Sequence, residues 1–257
     1  MSWFNVFLLS IVEGFSEFLP ISSTGHMIIT GFFFDIPSTE FVKSFMIIVQ
    51  LGAILSVLTK YWKVLIFKRE YWPKLIASTI PTVIIGLLLY SVEKKYLLGN
   101  VLVTAAGLFF GGLGLIFIEK LSSFNRSGTK EIASLTTAQA ALIGIAQSLA
   151  IIPGVSRSAA TVVAGMFFGL DRKESVELSF LLALPIMAGA TGLDLVKTGF
   201  NFSSLELMQL MLGMIVAFIV ARLSVNWLVS FVESHSMAAF GWYRLVLAAV
   251  VVVKLFW

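Results

Sequence analysis

Six long apolar segments constrain the fold of this chain more than any other feature of its sequence. They cover residues 41–59, 75–92, 101–118, 178–196, 207–225 and 238–256. Because an α-helix rises about 1.5 Å per residue, about 18 residues cover about 27 Å, enough for a slightly tilted or thinned bilayer crossing. Of the 257 residues, 58% are hydrophobic and only 12% are charged, which excludes an ordinary soluble enzyme and a disordered chain. The pattern predicts an all-α integral membrane protein with six transmembrane helices.

Two further apolar segments, 3–34 and 138–169, are each interrupted midway by residues that break helices. The interruptions are LPISSTG at 19–25 and IPGVSRS at 152–158. Irregular backbone has no hydrogen-bonding partners in hydrocarbon, so at membrane depth it is stable only where protein or water surrounds it. We therefore predict that each segment forms a re-entrant helix–loop–helix hairpin buried among the six spans.

The two interrupted segments also indicate an internal repeat. Gln147 precedes the second interruption as Glu13 precedes the first, and aligning these residues gives an offset of 134 positions. The centres of the first three spans then fall inside the last three. One hairpin and three crossings per half give the halves opposite orientations, an inverted-topology repeat. We predict a single polytopic membrane domain over 1–257, with one repeat at about 1–118 and the other at about 138–257.

The distribution of basic residues predicts the orientation of the chain. Lys and Arg are concentrated in the segments 60–74, 119–137 and 170–177, which lie on one side of the membrane if all six spans cross it. By the positive-inside rule this side is cytoplasmic, so both termini lie outside, the first hairpin enters from outside and the second from the cytoplasm. The sequence predicts a multi-pass protein of the cytoplasmic (inner) membrane that contacts membrane lipids. It is compatible with an oligomer, and no nucleic-acid partner is expected.

The first interruption carries the acidic part of a predicted site. Glu13 and Glu17 are four residues apart, so they lie on one helix face with their Cβ atoms about 6 Å apart. Two like charges at membrane depth require a shared proton or a cation between them. The residues that follow are suited to nucleophilic and acid–base chemistry, and they are Ser22, Ser23, Thr24 and His26.

The second interruption carries a complementary basic part. Pro153 and Gly154 allow the backbone to turn before a new helix begins. The N-terminus of that helix offers free N–H groups to an anion, and the guanidinium of Arg157 presents a planar set of donors that suits phosphate oxygens. Arg157 could instead pair with Glu13 or Glu17, and a phosphate lying between the groups would satisfy both interpretations. The hydroxyl residues beside this arginine are Ser156, Ser158 and Thr161.

Together these groups favour phosphoryl transfer on a phosphorylated lipid. Two acids beside an anion site suggest a divalent cation, Mg²⁺ or Ca²⁺, bound by Glu13, Glu17 and phosphate oxygens. Positioning and charge neutralisation do most of the catalysis in such a site. The same groups in broken helices could instead bind an anionic prenyl-phosphate lipid in a secondary transporter or flippase. A Ser–His protease is a third interpretation, but the arginine and the paired glutamates suit a phosphate better than a peptide carbonyl.

Both motifs resemble those of a known family. Residues 13–26 (EGFSEFLPISSTGH) resemble the glutamate-rich motif of the undecaprenyl-diphosphate phosphatases of the bacitracin-resistance type, and residues 153–161 (PGVSRSAAT) are similar to that family's PGxSRSxxT motif. The resemblance implies hydrolysis of undecaprenyl diphosphate to undecaprenyl phosphate and inorganic phosphate, which recycles the lipid carrier for cell-wall synthesis and confers bacitracin resistance. It also implies metal dependence, six spans with two re-entrant hairpins, and a site that opens on the extracytoplasmic side.

The resemblance also assigns roles to residues of both motifs. In the favoured scheme Ser23 attacks the terminal phosphorus while His26 or Glu17 takes its proton, and water later cleaves the phosphoserine. In the rival scheme Glu17 activates water directly and Ser23 only binds phosphate. The predicted catalytic residues are Glu17, Ser23, His26 and Arg157, the metal ligands are Glu13 and Glu17, and the substrate-binding residues are Ser22, Thr24, Gly154, Ser156, Ser158 and Thr161.

Other polar residues in the apolar segments are given structural interpretations. Gln50 is expected to form a helix–helix hydrogen bond, although its depth could bring it near the site. Asp194, Arg222 and Arg244 lie toward span ends and are expected to reach the headgroups with their charged tips. The glycines of the third span are expected to allow close helix packing, and they are Gly111, Gly112 and Gly114.

Overall fold

The computed structural model describes residues 1–124, 130–199 and 201–257, and the regular elements within them are helices. The α-helices of these residues are α1 (Trp3–Ser16), α2 (Ser23–Phe33), α3 (Glu40–Ile48), α4 (Gln50–Phe67), α5 (Trp72–Val92), α6 (Val101–Phe124), α7 (Thr137–Ser148), α8 (Arg157–Phe167), α9 (Arg172–Thr198), α10 (Ser204–Ser234) and α11 (Ala238–Phe256). Part of the predicted loop 119–137, residues 125–129, lies outside the described residues.

Six stretches within this described part are long and apolar enough to cross a membrane. They are Glu40–Phe67, Arg69–Leu97, Val101–Leu121, Arg172–Lys197, Ser204–Ser234 and Ala238–Phe256. The prediction of an all-helical, multi-pass membrane protein is therefore confirmed. Several helices continue past the predicted span ends. Lys60 was expected in a loop but lies on α4, where its Nζ donates to Asn226 Oδ1 on α10 over 2.7 Å.

The first of these stretches contains a local irregularity. α3 ends at Ile48 and α4 begins at Gln50, while Val49 between them keeps helical dihedral angles, with φ −60° and ψ −24°. The uniformly apolar sequence of 41–59 did not indicate this irregularity. Gln50 stands at the first position of α4 and lines an internal cavity.

The two interrupted segments form helix–loop–helix units. α1 and α2 flank residues 17–22, and α7 and α8 flank residues 149–156. These helices contain 14, 11, 12 and 11 residues, so each is about 16–21 Å long and shorter than the hydrocarbon layer. Ser22 and Ser156 have φ angles of 75° and 74°, and each caps the helix that follows with its hydroxyl. This φ region is uncommon for residues other than glycine, and the caps compensate for it.

Two of the short helices pack against long helices from the other half of the chain, α1 along α10 and α7 along α5. The long helices α6 and α11, also from different halves, pack against each other. The starts of α1 and α7, at Trp3 and Thr137, are 134 residues apart, and the starts of α2 and α8 have the same separation. Each half of the chain therefore supplies a hairpin helix to the packing of the other half.

Two charged residues that were expected at the membrane surface are buried instead. Asp194 is fully buried and accepts hydrogen bonds from the ammonium group of Lys94 and, over 2.8 Å, from the hydroxyl of Tyr90. Arg244 is also fully buried. The expectation was wrong for both residues because position along a span indicates depth but not which helix face packs against neighbours. Arg222 is exposed, as expected.

The glycines of α6 allow close packing at some positions only. A Cβ atom at Gly112 would lie 2.8 Å from the carbonyl oxygen of Gly241 on α11, so the two helices approach closely there. A Cβ atom at Gly114 would meet nothing within 4 Å. The predicted close packing is therefore confirmed for Gly112 and wrong for Gly114.

Candidate active site

The loops of the two helix–loop–helix units contact each other directly. The Gly154 amide donates a hydrogen bond to Ser22 Oγ over 3.1 Å, and Ser158 Oγ donates to the Leu19 carbonyl oxygen over 2.8 Å. Gly154 has a φ of 94°, and a Cβ atom there would lie 2.2 Å from the carbonyl oxygen of Thr104 on α6. Only glycine fits this turn, which lets the second loop approach both α6 and the first loop.

The acidic and basic groups of the two loops form an ion pair. Arg157 Nη2 donates to Glu17 Oε1 over 2.9 Å, and the two side chains are 12% and 6% exposed. The other carboxylate oxygen of Glu17 accepts a hydrogen bond from Ser23 Oγ. A nucleophilic hydroxyl, a base and an anion-binding cation therefore converge in one buried cluster, the set of groups that phosphoryl transfer through serine requires.

The guanidinium of Arg157 is also held by α9. Its Nη1 donates to the carbonyl oxygen of Ser179 over 2.6 Å and to the hydroxyl of the same residue over 3.1 Å. Its Nε is buried and has no hydrogen-bonding partner. Buried donors without partners are uncommon in folded proteins. The arginine is thus fixed in orientation by Glu17 on one side and Ser179 on the other.

Glu13 lies behind this cluster and is fully buried. Neither of its buried carboxylate oxygens has a partner in hydrogen-bonding geometry, although the carboxyl lies beside Glu17 and Ser23 and within electrostatic range of Arg157. A buried carboxylate without a partner is strongly unfavourable unless a proton or a cation neutralises it. This agrees with the expectation from the sequence that two glutamates at this spacing need a proton or a cation.

A cavity of about 240 Å³ adjoins the cluster. Its polar lining comes largely from the two helix–loop–helix units, with further residues from α4 and the α5 region, and consists of Glu17, Ser22, Ser23, Thr24, Gln50, Thr82, Tyr90, Glu93, Gln147, Ser148, Ser156 and Arg157. Its apolar lining includes Met46, Ile47, Val83, Leu87, Ile186, Met187 and Leu193. α2 and α8 begin beside this cavity, and helix N-termini carry partial positive charge that favours anions. The cavity therefore suits an amphiphile with an anionic headgroup.

Comparison with known proteins supports the resemblance carried by the two motifs. Residues 6–250 match the family described as bacitracin resistance protein BacA. The chain belongs to the BacA family. A relative from Aquifex aeolicus, named undecaprenyl-diphosphatase, is 47% identical over 251 residues that cover 97% of both chains. Proteins of the same name from Fusobacterium nucleatum and Thermus thermophilus are 42% and 40% identical, over 98% and 97% of this chain and 100% and 96% of theirs.

The predicted residues of this BacA-family site other than His26 fall into two groups. The first group lines the cavity and contains Glu17, Ser22, Ser23, Thr24, Ser156 and Arg157. The second group lies behind the lining and contains Glu13, Gly154, Ser158 and Thr161. Thr161 Oγ1 lies 3.0 Å from Gln147 Oε1 and equally far from the Arg157 carbonyl oxygen, so it can donate to either. Members of the second group contact the lining residues or their loops rather than the cavity.

His26 lies apart from the reacting groups. Its Nδ1 is 2.7 Å from the carbonyl oxygen of Ser22, and its Nε2 is 2.8 Å from the hydroxyl of Tyr243, whose ring it stacks against. It does not line the cavity. The hydroxyl of Ser23 faces Glu17 instead. Sequence spacing placed His26 near Ser23 correctly on α2, but it could not indicate that both ring nitrogens are occupied elsewhere.

Two amide side chains line the site: Gln147 was not recognised as a functional candidate from the sequence, whereas Gln50 was expected to form a helix–helix hydrogen bond at a depth that could bring it near the site. Gln147 donates through Nε2 to Thr82 Oγ1 over 3.0 Å, and it lines the cavity beside Gln50. Gln50 makes the expected interhelical hydrogen bond, a long one of 3.5 Å from Nε2 to Thr24 Oγ1. The signal that could have found them is an amide in the middle of an apolar segment. For Gln147 there is a second signal, since it is the offset equivalent of Glu13.

The carboxylate ligands present can bind a hard divalent cation only if the substrate completes its coordination shell. Among the described residues, no group of three or more His, Asp or Glu side chains is placed to hold a metal ion. Glu17 already accepts from Ser23 and Arg157, whereas both oxygens of Glu13 lack partners. Carboxylate oxygens suit Mg²⁺ and Ca²⁺, and a diphosphate would supply the further oxygens.

Proposed function

We propose that this protein hydrolyses undecaprenyl diphosphate to undecaprenyl phosphate and inorganic phosphate. The reaction recycles the lipid carrier for cell-wall synthesis, and its activity confers bacitracin resistance. The observation that carries this function is the buried cluster of Glu17, Ser23 and Arg157 beside a cavity that is polar at the hairpin loops and apolar along other helices. Membership of the BacA family and relatives named undecaprenyl-diphosphatase support it.

The lining of the cavity supports a specific placement of the substrate. The diphosphate would lie against Arg157 and the N-termini of α2 and α8, where donors and partial positive charge are concentrated. Arg157 lines this part of the cavity and keeps its ion pair with Glu17. The prenyl chain would follow the apolar lining, because burial of its methylene groups is favourable there.

The chemistry follows from the hydrogen bonds of the cluster. Ser23 Oγ attacks the terminal phosphorus, and Glu17, which already accepts its hydrogen bond, takes the proton. The bridging P–O bond breaks, undecaprenyl phosphate leaves, and water then cleaves the phosphoserine and releases inorganic phosphate. Arg157 neutralises charge on the transferred group. A divalent cation held by Glu13 and Glu17 would add further neutralisation of the diphosphate.

Phosphate release by the purified protein in detergent tests this function. The wild-type protein is expected to release phosphate from undecaprenyl diphosphate, and Arg157→Ala and Glu17→Gln are expected to lower the rate at least 100-fold because each removes a group that contacts the reacting atoms. Glu40→Gln is the matched control, since Glu40 is exposed and pairs only with Lys43. Substrate counterflow in vesicles without hydrolysis would instead support a carrier of prenyl-phosphate lipids.

We also propose that the two helix–loop–helix units are re-entrant hairpins of an inverted repeat in the inner membrane. Their helices are too short to cross the hydrocarbon layer, and the units start 134 residues apart. Ser22 and Ser156 are offset equivalents with nearly equal positive φ angles and the same capping role. α1 and α7 each pack against a helix of the other half, which further supports an interlocked pair of repeats within one domain.

A further inference from the structure

Arg244 stands out among the groups that the proposed mechanism does not use. It is fully buried on α11, and its hydrogen bonds go to backbone carbonyl oxygens rather than to a carboxylate. Burying an arginine without a counter-ion is energetically costly, so a buried guanidinium requires a specific set of hydrogen-bond acceptors. Those partners are the loops that carry the active-site residues.

The guanidinium bridges both hairpin loops. Nη1 donates to the carbonyl oxygen of Pro20 in the first loop over 3.1 Å. Nη2 contacts the carbonyl oxygens of Gly154 and Val155 in the second loop over 2.6 and 2.9 Å. Pro20 lies midway between Glu17 and Ser23, and the second pair directly precedes Ser156. One side chain therefore connects the backbone on both sides of the reacting cluster.

α6 provides the third side of this arrangement. Nε of Arg244 donates to the Leu108 carbonyl oxygen over 3.3 Å, and Nη2 lies 3.1 Å from that of Gly107. A Cβ atom at Gly111 would lie 1.9 Å from Nη2, so the guanidinium occupies space that any other residue at 111 would fill. Glycine at this position of α6 is thus a requirement of the bridge.

We propose that Arg244 is a positioning residue for the reaction, acting by holding the two loops in register. Its carbonyl contacts fix the distance between the loop that joins Glu17 to Ser23 and the loop that leads into Arg157. The inference rests on the proposed hydrolysis, because it assigns a role within that reaction. A planar fork with donors on three nitrogens can reach all three backbone segments, whereas a lysine ammonium is a point donor on a single tip.

Two variants and two matched controls test this role. Arg244→Lys keeps the charge but loses the fork, and Gly111→Ala keeps the arginine but displaces its guanidinium. Both are expected to lower kcat for undecaprenyl diphosphate on the order of 10- to 100-fold while KM changes less than about threefold, because misplaced catalytic groups slow the chemical step. Arg222→Lys, at an exposed arginine, and Gly114→Ala, where a Cβ meets nothing, are expected to stay within about twofold of wild type.

The readouts separate positioning from general stability. Rates are normalised to the monodisperse folded fraction, and the midpoint of thermal unfolding is measured for every variant. If Arg244→Lys yields too little folded protein, Gly111→Ala makes the same test with the arginine retained. A folded variant with wild-type kcat, or one in which only KM rises, overturns the proposal. Failure of the wild-type protein to hydrolyse the lipid would instead overturn the proposed function.

Discussion

At the scale of single residues, the chemistry depends on which group faces the hydroxyl of Ser23. Glu17 accepts its hydrogen bond, whereas both ring nitrogens of His26 are taken by Ser22 and Tyr243. A carboxylate that already accepts the hydrogen bond of the hydroxyl can take its proton without rearrangement. We therefore propose that Glu17 takes the proton of Ser23 and that His26 has a supporting role on α2.

Trapping the covalent intermediate distinguishes the two catalytic schemes. With substrate radiolabelled at the terminal phosphate, rapid quenching is expected to yield labelled wild-type protein before free phosphate accumulates, since Ser23 is the proposed nucleophile. Ser23→Ala is expected to give no labelled protein and to lower kcat at least 100-fold. Ser230→Ala, at an exposed serine of α10, serves as control. If free phosphate appears with no labelled protein before it, Glu17 activates water directly and the serine scheme is wrong.

The buried carboxylate of Glu13 leads to a prediction about the metal dependence of the enzyme. Chelation is expected to abolish phosphate release, with Mg²⁺ or Ca²⁺ restoring it, because the unpartnered carboxylate of Glu13 suits a hard cation. Glu13→Gln is expected to raise the cation concentration for half-maximal activity about tenfold or more, since one charged ligand is lost. The measurement is a metal titration of both proteins at saturating lipid. An unchanged midpoint in Glu13→Gln would remove Glu13 from the metal site.

At the scale of elements, α9 combines two functions. Ser179 orients the guanidinium of Arg157, and residues further along the helix, including Gly189, line the cavity. Gly189 is exposed as well as cavity-lining, and a Cβ atom there would meet nothing within 4 Å. This part of α9 therefore lies where the cavity meets the protein surface, and we propose that the lipid chain extends through this opening.

Filling that opening is expected to weaken substrate binding. Gly189→Leu places a branched side chain in a cavity of about 240 Å³ and should raise KM for undecaprenyl diphosphate on the order of tenfold, with a smaller effect on kcat. Gly192→Leu is the matched control on the same helix, because Gly192 has open space around it but does not line the cavity. The two variants are compared by steady-state kinetics. Equal KM values for both would show that the lipid does not pass Gly189.

At the scale of the whole molecule, the proposed inverted repeat places equivalent residues on opposite sides of the membrane. Pro37 and Asp171 are 134 residues apart, and both are exposed just beyond their hairpins. The chain contains no cysteine, so single substitutions report on one position each. A membrane-impermeant thiol reagent applied to intact cells is expected to label Pro37→Cys, and to label Asp171→Cys only after permeabilisation. Labelling of both from the same side would contradict the inverted arrangement.

Some features of the protein follow from the sequence because they depend on local chemistry. Span length is set by hydropathy, and a Pro-Gly turn or a serine cap acts within a few residues, so the helices and the two interruptions could be predicted. The pairing of Glu17 with Arg157 could also be anticipated, because buried opposite charges need each other. The irregularity at Val49 had no comparable signal, because an apolar sequence is the same whether or not its helix is regular throughout.

The sequence by itself determined a multi-span helical protein, its acidic and basic loops and its family motifs. Only the tertiary structure decided that Arg244 is buried against both loops, that the ring of His26 contacts Ser22 and Tyr243, and that Gln50 and Gln147 share the cavity. The physical reason is that hydropathy and spacing report the depth and the local face of a residue. Which neighbour that face meets is decided by contacts between segments far apart in the chain.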